Sequence, residues 1–568
     1  MPRILSILLL ILNFSLRAQS PIFSSKALHH PIVAKNGMVA SQHPLATQVG
    51  IEILEKGGNA VDAAVGVGFA LAVVLPRAGN LGGGGFMLVH EAESGDTKAI
   101  NYRERAPGAA SRDMYLGKDG EIDRALINSS YQSAGVPGTV SGLLFALEKY
   151  GTMSPKEVLA PAIRLAKKGF AVTYDLERIL KALEERIRKW PESEKIFYKG
   201  KEQYYKAGEL LVQEDLAKSL KLIAKRGAKA FYEGPIAELI VADMQANGGL
   251  ITMEDMADYS PQFMEVIWGE FHGYKIASMP PPSSGGVHLL QILNILEKYP
   301  LKESGHNSAA SIHVMTEAMK LAYADRSKHL GDPLFWDVPV AELLDKSYAD
   351  HLRAGIDAEK ARPSTDIMPG SPTDYESEET THFSVVDKDG NVVSNTYTLN
   401  FSFGNGAVAK GTGILLNNEM SDFAAKPGSP DAFGLIGGES NKVEPGKRPL
   451  SSMTPSIVFK DGKPYLVTGS PGGSRIITTV LQVILNALVH EMNVAEATHA
   501  SRIHHQWFPD ILYIEKNLNA DTRAILEALG HTMTERNAMG STQTIMIKDG
   551  LLYGASDPRR PDARTKGY

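Results

Sequence analysis

The chain of 568 residues contains no cysteine. It therefore cannot form a disulfide bond, build a thiolate metal site or use a cysteine nucleophile. Covalent catalysis would need a serine, threonine, lysine or carboxylate side chain. An excess of one charge is also lacking, because 59 basic residues nearly balance 65 acidic ones and the formal net charge is −6. Such a chain has no broad positive field for a phosphate backbone, so we predict no nucleic-acid partner.

Long hydrophobic runs are scarce. The first spans residues 4–12, follows Arg3 and precedes the small residues Ala18 and Ser20. This order is typical of a signal peptide, predicted over residues 1–20, and predicts an exported protein, periplasmic or secreted. The next run, residues 61–75, is shorter than the roughly 20 residues that a bilayer requires. It predicts a buried helix, and we expect no membrane anchor.

Helical and strand patterns occupy different parts of the chain. Residues 48–75, 155–247 and 288–297 have helical spacing of apolar residues. Alternating patterns around the turns at 387–390, 461–462 and 549–550 predict three hairpins in the C-terminal part, together with one helix at 476–489. Segregated helices and strand pairs predict a layered α+β fold.

Several common functional motifs are missing. The sequence has no GxGxxG or GxxxxGK[ST] nucleotide loop, no GxSxG elbow and no HExxH helix. Adjacent histidines, His504 and His505, point apart on a strand and have no companion at ligand spacing. We therefore predict neither a cofactor nor a metal site.

A threonine stands where an irregular polar stretch, residues 364–379, meets the first predicted strand of the C-terminal part. If the Thr380 hydroxyl attacks the carbonyl of Glu379, hydrolysis of the resulting ester leaves Thr380 with a free α-amino group. That amine has a pKa near 8 and can serve as the base for its own hydroxyl. From spacing alone, an ordinary strand threonine remains the better interpretation.

Eight segments decide between these interpretations. They read GNLGGGGFM (79–87), YRERAP (102–107), PPPSSGG (280–286), TTHFSVVDKDGNVVSNTYTLN (380–400), LLNNEMSDF (415–423), KRPLSSMTPS (447–456), GSPGGSRI (469–476) and HHQW (504–507). In this order they resemble the γ-glutamyltransferase family, most closely its bacterial members, over nearly the whole chain.

The resemblance implies a four-layer αββα N-terminal-nucleophile hydrolase fold. It also implies self-cleavage between Glu379 and Thr380, giving a heterodimer of a large subunit, residues 21–379, and a small subunit, residues 380–568. Thr380 would be the nucleophile and Thr398 would orient it by a hydrogen bond. The backbone N–H groups of Gly472 and Gly473 would receive the oxyanion, because no Cβ blocks approach there.

The same resemblance implies a pocket for the head group of a γ-glutamyl amide. Arg103 would bind the substrate carboxylate bidentately, helped by Ser451 and Ser452. The ammonium would be bound by Asn400, Glu419 and Asp422; Glu419 stands where some relatives carry glutamine. Expected donors are glutathione and glutamine, and expected acceptors are water and the amines of amino acids or peptides.

A lid loop is expected over residues 427–438, and Phe433 lies where several bacterial members carry tyrosine. Phenylalanine can cover the site but cannot donate a hydrogen bond, so we expect a looser lid. Two alternatives stay open: a related acylase of the same fold, such as a cephalosporin acylase or a poly-γ-glutamate depolymerase, and a secreted solute-binding protein that stays one intact chain.

Overall fold

A computed structural model describes residues 27–201, 203–367 and 380–568. The predicted signal peptide and Glu379 lie outside the described residues. In chain order the strands are β1 (Ile32–Ala34), β2 (Met38–Ser41), β3 (Gly84–His90), β4 (Thr97–Asn101), β5 (Phe170–Ala171), β6 (Tyr198–Gly200), β7 (Gln203–Tyr204), β8 (Leu210–Leu211), β9 (Gln262–Glu265), β10 (Ile267–Phe271), β11 (Tyr274–Ser278), β12 (Thr381–Val386), β13 (Val392–Thr398), β14 (Val408–Ala409), β15 (Ile414–Leu415), β16 (Ser456–Lys460), β17 (Lys463–Thr468), β18 (Ile503–His504), β19 (Leu512–Glu515), β20 (Met533–Arg536), β21 (Gln543–Lys548), β22 (Leu551–Ser556) and β23 (Arg564–Gly567).

The helices in chain order are α1 (Pro44–Glu55), α2 (Ala60–Val74), α3 (Arg124–Ser129), α4 (Thr139–Tyr150), α5 (Pro155–Lys168), α6 (Tyr174–Ala182), α7 (Glu184–Arg188), α8 (Pro191–Phe197), α9 (Glu214–Arg226), α10 (Lys229–Tyr232), α11 (Pro235–Ala246), α12 (Met253–Ala257), α13 (Gly285–Leu296), α14 (Leu301–Ser304), α15 (Ala309–His329), α16 (Val340–Leu343), α17 (Lys346–Ala354), α18 (Arg475–Leu488), α19 (Val494–His499) and α20 (Ala520–Ala528). Short 3₁₀ turns lie at Tyr131–Ser133, Ser364–Asp366, Glu419–Asp422 and Glu439–Asn441.

Two antiparallel seven-stranded sheets form the centre of the molecule. The first has the strand order β23-β2-β12-β13-β3-β4-β9, and the second has the order β1-β22-β21-β17-β16-β11-β10. Hydrogen bonds link their facing surfaces, from the Ser384 hydroxyl to the Gln543 carbonyl at 2.8 Å and from the Ser394 hydroxyl to the Thr468 carbonyl at 3.2 Å. Each sheet mixes strands that precede residue 380 with strands that follow it.

Helices cover the outer face of both sheets. In β3, Met87 and Val89 pack into the hydrophobic cluster that contains α1, α2, α4 and α5. Phe86 and Leu88 point the other way, into the cluster that contains the second sheet with α13, α15 and α18. This alternation is that of a strand buried on both faces. The predicted αββα layering is therefore confirmed.

Helix α2 shows how the most apolar internal segment folds. Asn59 begins it with a reciprocal cap: its side chain accepts from the N–H groups of Val61 and Asp62, and Asp62 accepts from the backbone of Asn59. All of its residues are buried, as predicted. The expected continuous helix over 48–75 is instead two helices, because Gly57 adopts a φ of 92° between them. In the described part of the chain no helix is long and apolar enough to cross a membrane.

The predicted hairpins are present as β12–β13, β16–β17 and β21–β22. The predicted helical region 155–247 is confirmed as α5 to α11, with four very short strands between them. Strands β12 and β13 are central in the strand order of the first sheet. Thr380, the residue before β12, therefore lies at the end of a central strand, between the layers.

Candidate active site

One cavity collects most of the predicted site residues. It is lined by Arg103, Arg326, Thr380, Thr398, Asn400, Glu419, Asp422, Asp431, Phe433, Leu435, Leu450, Ser451, Ser452, Met453, Gly473 and Ile476. Of the predicted residues that the structure describes, Gly472 alone does not line it. These side chains come from at least five separated stretches of the chain, so the fold, not local sequence, brings them together.

The pairing of β12 with β13 places Thr380 opposite Thr398. Thr381 pairs with Tyr397 in the hairpin, so the register continued by one residue brings the two threonines together. The Thr380 hydroxyl donates to the Thr398 hydroxyl at 3.3 Å, and the Asn400 N–H donates to the same oxygen at 2.9 Å. Both threonines are buried. The Thr398 hydroxyl thus holds the candidate nucleophile.

The glycine-rich loop that precedes β3 supports this arrangement. The Asn80 amide donates to the Thr398 carbonyl at 2.9 Å and accepts from the Gly83 N–H at 3.0 Å. A Cβ on Gly83 would lie 2.0 Å from the same Thr398 carbonyl oxygen. Glycine is therefore required at residue 83 for the loop to reach the end of β13.

His382, two residues after Thr380, does not supply a base. Its two ring nitrogens lie 2.8 Å from the Thr396 hydroxyl and 3.0 Å from the Ser384 hydroxyl. Burial lowers the pKa of His382 to about 3, so the ring is neutral. The remaining candidate for the base is the α-amino group that cleavage would create on Thr380 itself.

Arg103 lies just beyond β4 and forms the charged centre of the cavity. Its guanidinium donates to the carboxylates of Glu419 and Asp422, and its Nε donates to a backbone carbonyl, that of Pro449, at 3.2 Å. Burial opposes its charge, but the nearby carboxylates outweigh burial and raise the pKa of Arg103 above its usual value. The predicted carboxylate-binding and ammonium-binding groups of the cavity therefore neutralise each other.

A third carboxylate, Glu104, also faces this guanidinium, 3.5 Å from Arg103. Burial raises the pKa of Glu104 to about 7 and that of Glu419 well above its usual value. One oxygen of each is buried without a hydrogen-bond partner among the described residues. One guanidinium cannot compensate the two buried carboxylates of Glu104 and Glu419 together with the partly buried carboxylate of Asp422, so the Glu104–Glu419 pair retains a proton near neutral pH.

Asn400 has the amide orientation that the ammonium side of the pocket needs. Its NH₂ group donates to Asp422 at 2.9 Å, to the Ser421 hydroxyl at 2.8 Å and to the Asn418 carbonyl at 3.2 Å. These three acceptors fix which end of the amide is nitrogen and turn the carbonyl oxygen to the opposite side. Its φ of 74° is one that asparagine tolerates better than most residues.

The predicted carboxylate side contains a second buried arginine. Arg326, on α15, donates to the Ser284 hydroxyl at 3.0 Å and lies 3.5 Å from the Ser452 hydroxyl. The Ser451 hydroxyl accepts from the Met453 N–H at 3.1 Å. Burial lowers the pKa of Arg326. We call Arg103, Glu104, Thr380, Thr398, Asn400, Glu419, Asp422, Arg326, Ser451 and Ser452 the floor of the cavity.

Residues 427–438, here called the covering segment, close the cavity from the other side. Asp431 accepts from the N–H groups of Phe433 at 2.7 Å and Leu435 at 3.0 Å, and burial raises the pKa of Asp431 to about 7. The Phe433 ring packs edge-on against Phe401 with centroids 6.0 Å apart. Gln506 donates to the Phe433 carbonyl at 3.0 Å. Asp431, Phe433 and Leu435 of this segment line the cavity, and the segment is held by turn and ring contacts; its role as a lid stays a prediction.

Gly473, the second residue of the glycine pair, lies directly under this ring. A Cβ on Gly473 would be 2.5 Å from the Phe433 ring, and Gly473 has a φ of 54°. Gly472, with a φ of 132°, does not line the cavity. Both conformations favour glycine. The proposed use of their N–H groups as oxyanion donors stays a prediction.

The cavity is narrow. Its volume is about 20 Å³, enough for little more than one water molecule. An amino-acid head group is larger than this, so a ligand must displace the covering segment or part the Arg103 ion pairs as it enters.

Sequence reasoning missed three charged residues of the site: Arg326 and Asp431, which line the cavity, and Glu104, which faces Arg103. Glu104 and Asp431 lie inside segments that the resemblance identified, at 102–107 and 427–438, so their position was a usable signal. Arg326 gave none, because a lone arginine in a helix is usually solvated.

Comparison with known proteins identifies the family of this chain. The sequence model described as gamma-glutamyltranspeptidase matches residues 46–566. The chain belongs to the γ-glutamyltranspeptidase family. It is 55% identical to the glutathione hydrolase proenzyme of Escherichia coli over 540 residues, covering 95% of this chain and 93% of that one. It is also 38% identical to acylase ACY 1 proenzyme of Pseudomonas sp. (strain SE83), covering 93% and 92% respectively.

Solved structures support both the family and its fold. Cephalosporin acylase from Bacillus halodurans superposes with a TM-score of 0.86 at 29% identity, over 97% of this chain and 99% of that one. A chain of Helicobacter pylori γ-glutamyltranspeptidase is 48% identical, with a TM-score of 0.57, and covers 58% of this chain and 94% of its own length. As a γ-glutamyltranspeptidase family member this chain is an enzyme, and a solute-binding role is not supported.

Proposed function

We propose that this enzyme cleaves γ-glutamyl amides such as glutathione and glutamine through an ester on Thr380, and passes the γ-glutamyl group to water or to an amine. The precursor is cleaved between Glu379 and Thr380 into the large subunit, residues 21–379, and the small subunit, residues 380–568. The exported heterodimer then works in a periplasm or outside the cell.

The chemistry follows from a hydroxyl beside its own amine. The Thr380 α-amino group takes the hydroxyl proton while the oxygen attacks the γ-carbonyl carbon, and the oxyanion is received by N–H groups of Gly472 and Gly473. The proton passes to the leaving amine, which departs and leaves an ester. Water or an incoming amine then attacks that ester, and the Thr380 hydroxyl is restored.

The observation that carries this proposal is the position of Arg103. A guanidinium, two acids and an amide surround one small space that also contains the Thr380 hydroxyl. An amino-acid head group has one charge of each sign, so it can replace the internal pairs of Arg103 with Glu419 and Asp422 by equivalent external ones. A γ-amide on that head group then extends towards Thr380.

The decisive experiment compares Thr380→Ala with the matched variant Thr380→Ser. Alanine has no nucleophile, so we expect an uncleaved precursor by intact mass and no hydrolysis of γ-glutamyl-p-nitroanilide. Serine keeps both hydroxyl and amine, so we expect cleavage between residues 379 and 380 and residual activity. A processed and active Thr380→Ala protein would refute the proposal.

Because the chain is 38% identical to an acylase, a second activity should be tested, the hydrolysis of glutaryl amides. Glutaryl amides lack the ammonium that Asn400, Glu419 and Asp422 would bind, so the acidic side of the cavity would have no partner. Parallel assays with glutaryl-p-nitroanilide separate the two, since a γ-glutamyl enzyme should prefer the γ-glutamyl substrate. Equal or better turnover of the glutaryl substrate would instead favour the acylase.

A further inference from the structure

A group of buried metal-ligating side chains lies away from the cavity. Within residues 27–201, 203–367 and 380–568, the ligand atoms of His313, Glu317 and His531 all lie within 4.8 Å of one another. His313 and Glu317 are four residues apart on α15, so they share one face of that helix. His531 follows α20. All three are buried.

The tautomer of His313 is fixed by a backbone carbonyl. Its Nε2 lies 2.7 Å from the Asp357 carbonyl oxygen, which can only accept, so Nε2 has the proton. The lone pair of Nδ1 is therefore directed towards His531, whose Nε2 lies 2.8 Å away. A histidine whose second nitrogen donates to a carbonyl is the usual arrangement of a metal ligand.

The carboxylate of the group is also oriented by neighbours. Glu317 accepts from the Lys320 ammonium at 3.0 Å and from the Arg362 N–H at 3.3 Å. Lys320 lies 3.5 Å from a second acid, Asp510. Counted against the one ammonium, the buried Glu317 and the partly exposed Asp510 give this group of side chains a formal charge of −1, which favours a cation.

We propose that His313, Glu317 and His531 form a binding site for one Zn²⁺-type divalent ion, with water in the fourth position. Two imidazoles and one carboxylate suit zinc rather than calcium or magnesium. The ion takes the place of the proton between the two rings. That proton moves to the other nitrogen of His531, and the rings separate to the roughly 3.3 Å that two nitrogens on tetrahedral zinc require.

The position of this site gives it a structural role. His313 and Glu317 precede Thr380 in the chain, and His531 follows it, 218 residues after His313. The protein groups around them, at Asp357, Arg362 and Ser364, belong to the last described stretch before residue 368. The ion would therefore tie the end of the proposed large subunit to the small one. Motif spacing gave no sign of it, because the third ligand is so distant in sequence.

His504 and His505, for which the sequence predicted no metal site, do not compete for the ion. His504 bonds the Thr478 hydroxyl at 2.8 Å and Gln506 at 3.0 Å. His505 lies 3.1 Å from Asp510 and accepts from the Trp507 N–H at 3.1 Å. Their ring nitrogens are all used within the protein.

The test is zinc binding by the full-length protein without a histidine tag, after treatment with chelator. Equilibrium dialysis with metal analysis should give one Zn²⁺ per chain, and zinc should raise the melting temperature. His531→Gln and Glu317→Gln should each weaken binding at least about tenfold. His490→Gln is the matched control, since His490 packs edge-on against His306, a histidine pair elsewhere in the chain.

Two outcomes overturn the site: no stoichiometric zinc on the parent protein, or the same affinity in the parent and in both ligand variants. If a variant fails to fold by circular dichroism, the parent protein loaded with Co²⁺ decides instead. A tetrahedral absorption spectrum supports the site, and an aqueous-type spectrum refutes it. None of these measurements uses the enzyme's activity, so they stand apart from the proposed function.

Discussion

The floor and the covering segment of the cavity are built in opposite ways. The floor places its charges on the residues after β4, on a 3₁₀ turn and on helix α15, with Arg103 bonded to Glu419, Asp422 and the Pro449 carbonyl. The covering segment has one acid, Asp431, and otherwise makes turn hydrogen bonds and the ring contact of Phe433. We therefore expect recognition of charge to reside in the floor and exclusion of water to depend on the cover. Changes to the floor should have large effects, and changes to the cover small ones.

The largest effect should follow from Arg103→Lys. Lysine keeps the charge but cannot bond two carboxylates in a fixed fork, so it leaves a buried acid uncompensated. Breaking a buried pair costs about 3–5 kcal/mol, which corresponds to a fall of about 100- to 4,000-fold in kcat/KM for γ-glutamyl-p-nitroanilide.

The matched control is Arg112→Lys. Arg112 pairs with Glu439 at the surface, where both side chains are 48% exposed. Exposed pairs contribute little, so kcat/KM should stay within about threefold of the parent. If the two variants lose activity equally, the floor does not recognise charge through Arg103.

A smaller loss is expected from Thr398→Val. Valine has nearly the same shape but removes the oxygen that accepts from Thr380 and from the Asn400 N–H. A buried donor left unpaired costs about 1–3 kcal/mol, so kcat should fall about 5- to 150-fold with little change in KM. Thr398→Ser keeps the hydroxyl and should retain most activity; equal kcat for valine and serine would contradict the orienting role.

The hairpin explains why this part of the site was predictable. Thr380 and Thr398 face each other because strands β12 and β13 are joined by a short turn, and turn position fixes register. Alternating sequence around 387–390 predicted the hairpin, while the contact between the two threonines was implied by the family resemblance and agrees with the register of that hairpin. The break at residues 56–59 was missed although Gly57, Gly58 and Asn59 are typical of a turn, and Gly57 has a φ of 92° there.

The charge balance around Arg103, unlike the hairpin, could not be predicted from the sequence pattern. Glu104 is its sequence neighbour, but Glu419 and Asp422 arrive from a 3₁₀ turn more than three hundred residues later. Which of these acids is ionised depends on burial and mutual distance, and both are tertiary properties. The position of Arg326 in the site could not be predicted for the same reason, because its inward orientation depends on the packing of α15 against the second sheet.

Because the Glu104–Glu419 pair retains a proton near neutral pH, we expect the stability of the protein to depend on pH. The pKa of Glu104 is about 7 in the folded chain, above the roughly 4.3 of an unfolded glutamate. Between these values the folded state holds a proton that the unfolded state has released. Raising the pH through this window therefore destabilises the protein.

The substitution Glu104→Gln should remove part of this loss of stability at rising pH. We expect the melting temperature of the variant minus that of the parent to increase between pH 5 and pH 8. The control is Glu265→Gln, since Glu265 is 77% exposed and pairs with Lys98 at the surface. Its difference from the parent should stay flat over the same range. A flat difference for Glu104→Gln would show that the acids around Arg103 are all ionised by pH 5.

The smallest effect should come from the cover, in Phe433→Tyr. The ring already packs edge-on against Phe401 and above Gly473, so the substitution adds only a hydroxyl that can bond the polar floor. One added hydrogen bond is worth about 1 kcal/mol, or about fivefold. A tighter cover admits less water to the ester, so the ratio of transfer to hydrolysis, measured with glycylglycine as acceptor, should rise by up to that factor. Phe335→Tyr, at a phenylalanine that is 39% exposed and outside the cavity lining, should leave the ratio unchanged. An unchanged ratio in Phe433→Tyr as well would mean that the cover excludes water by packing alone, and that the missing hydroxyl has no bearing on the choice of acceptor.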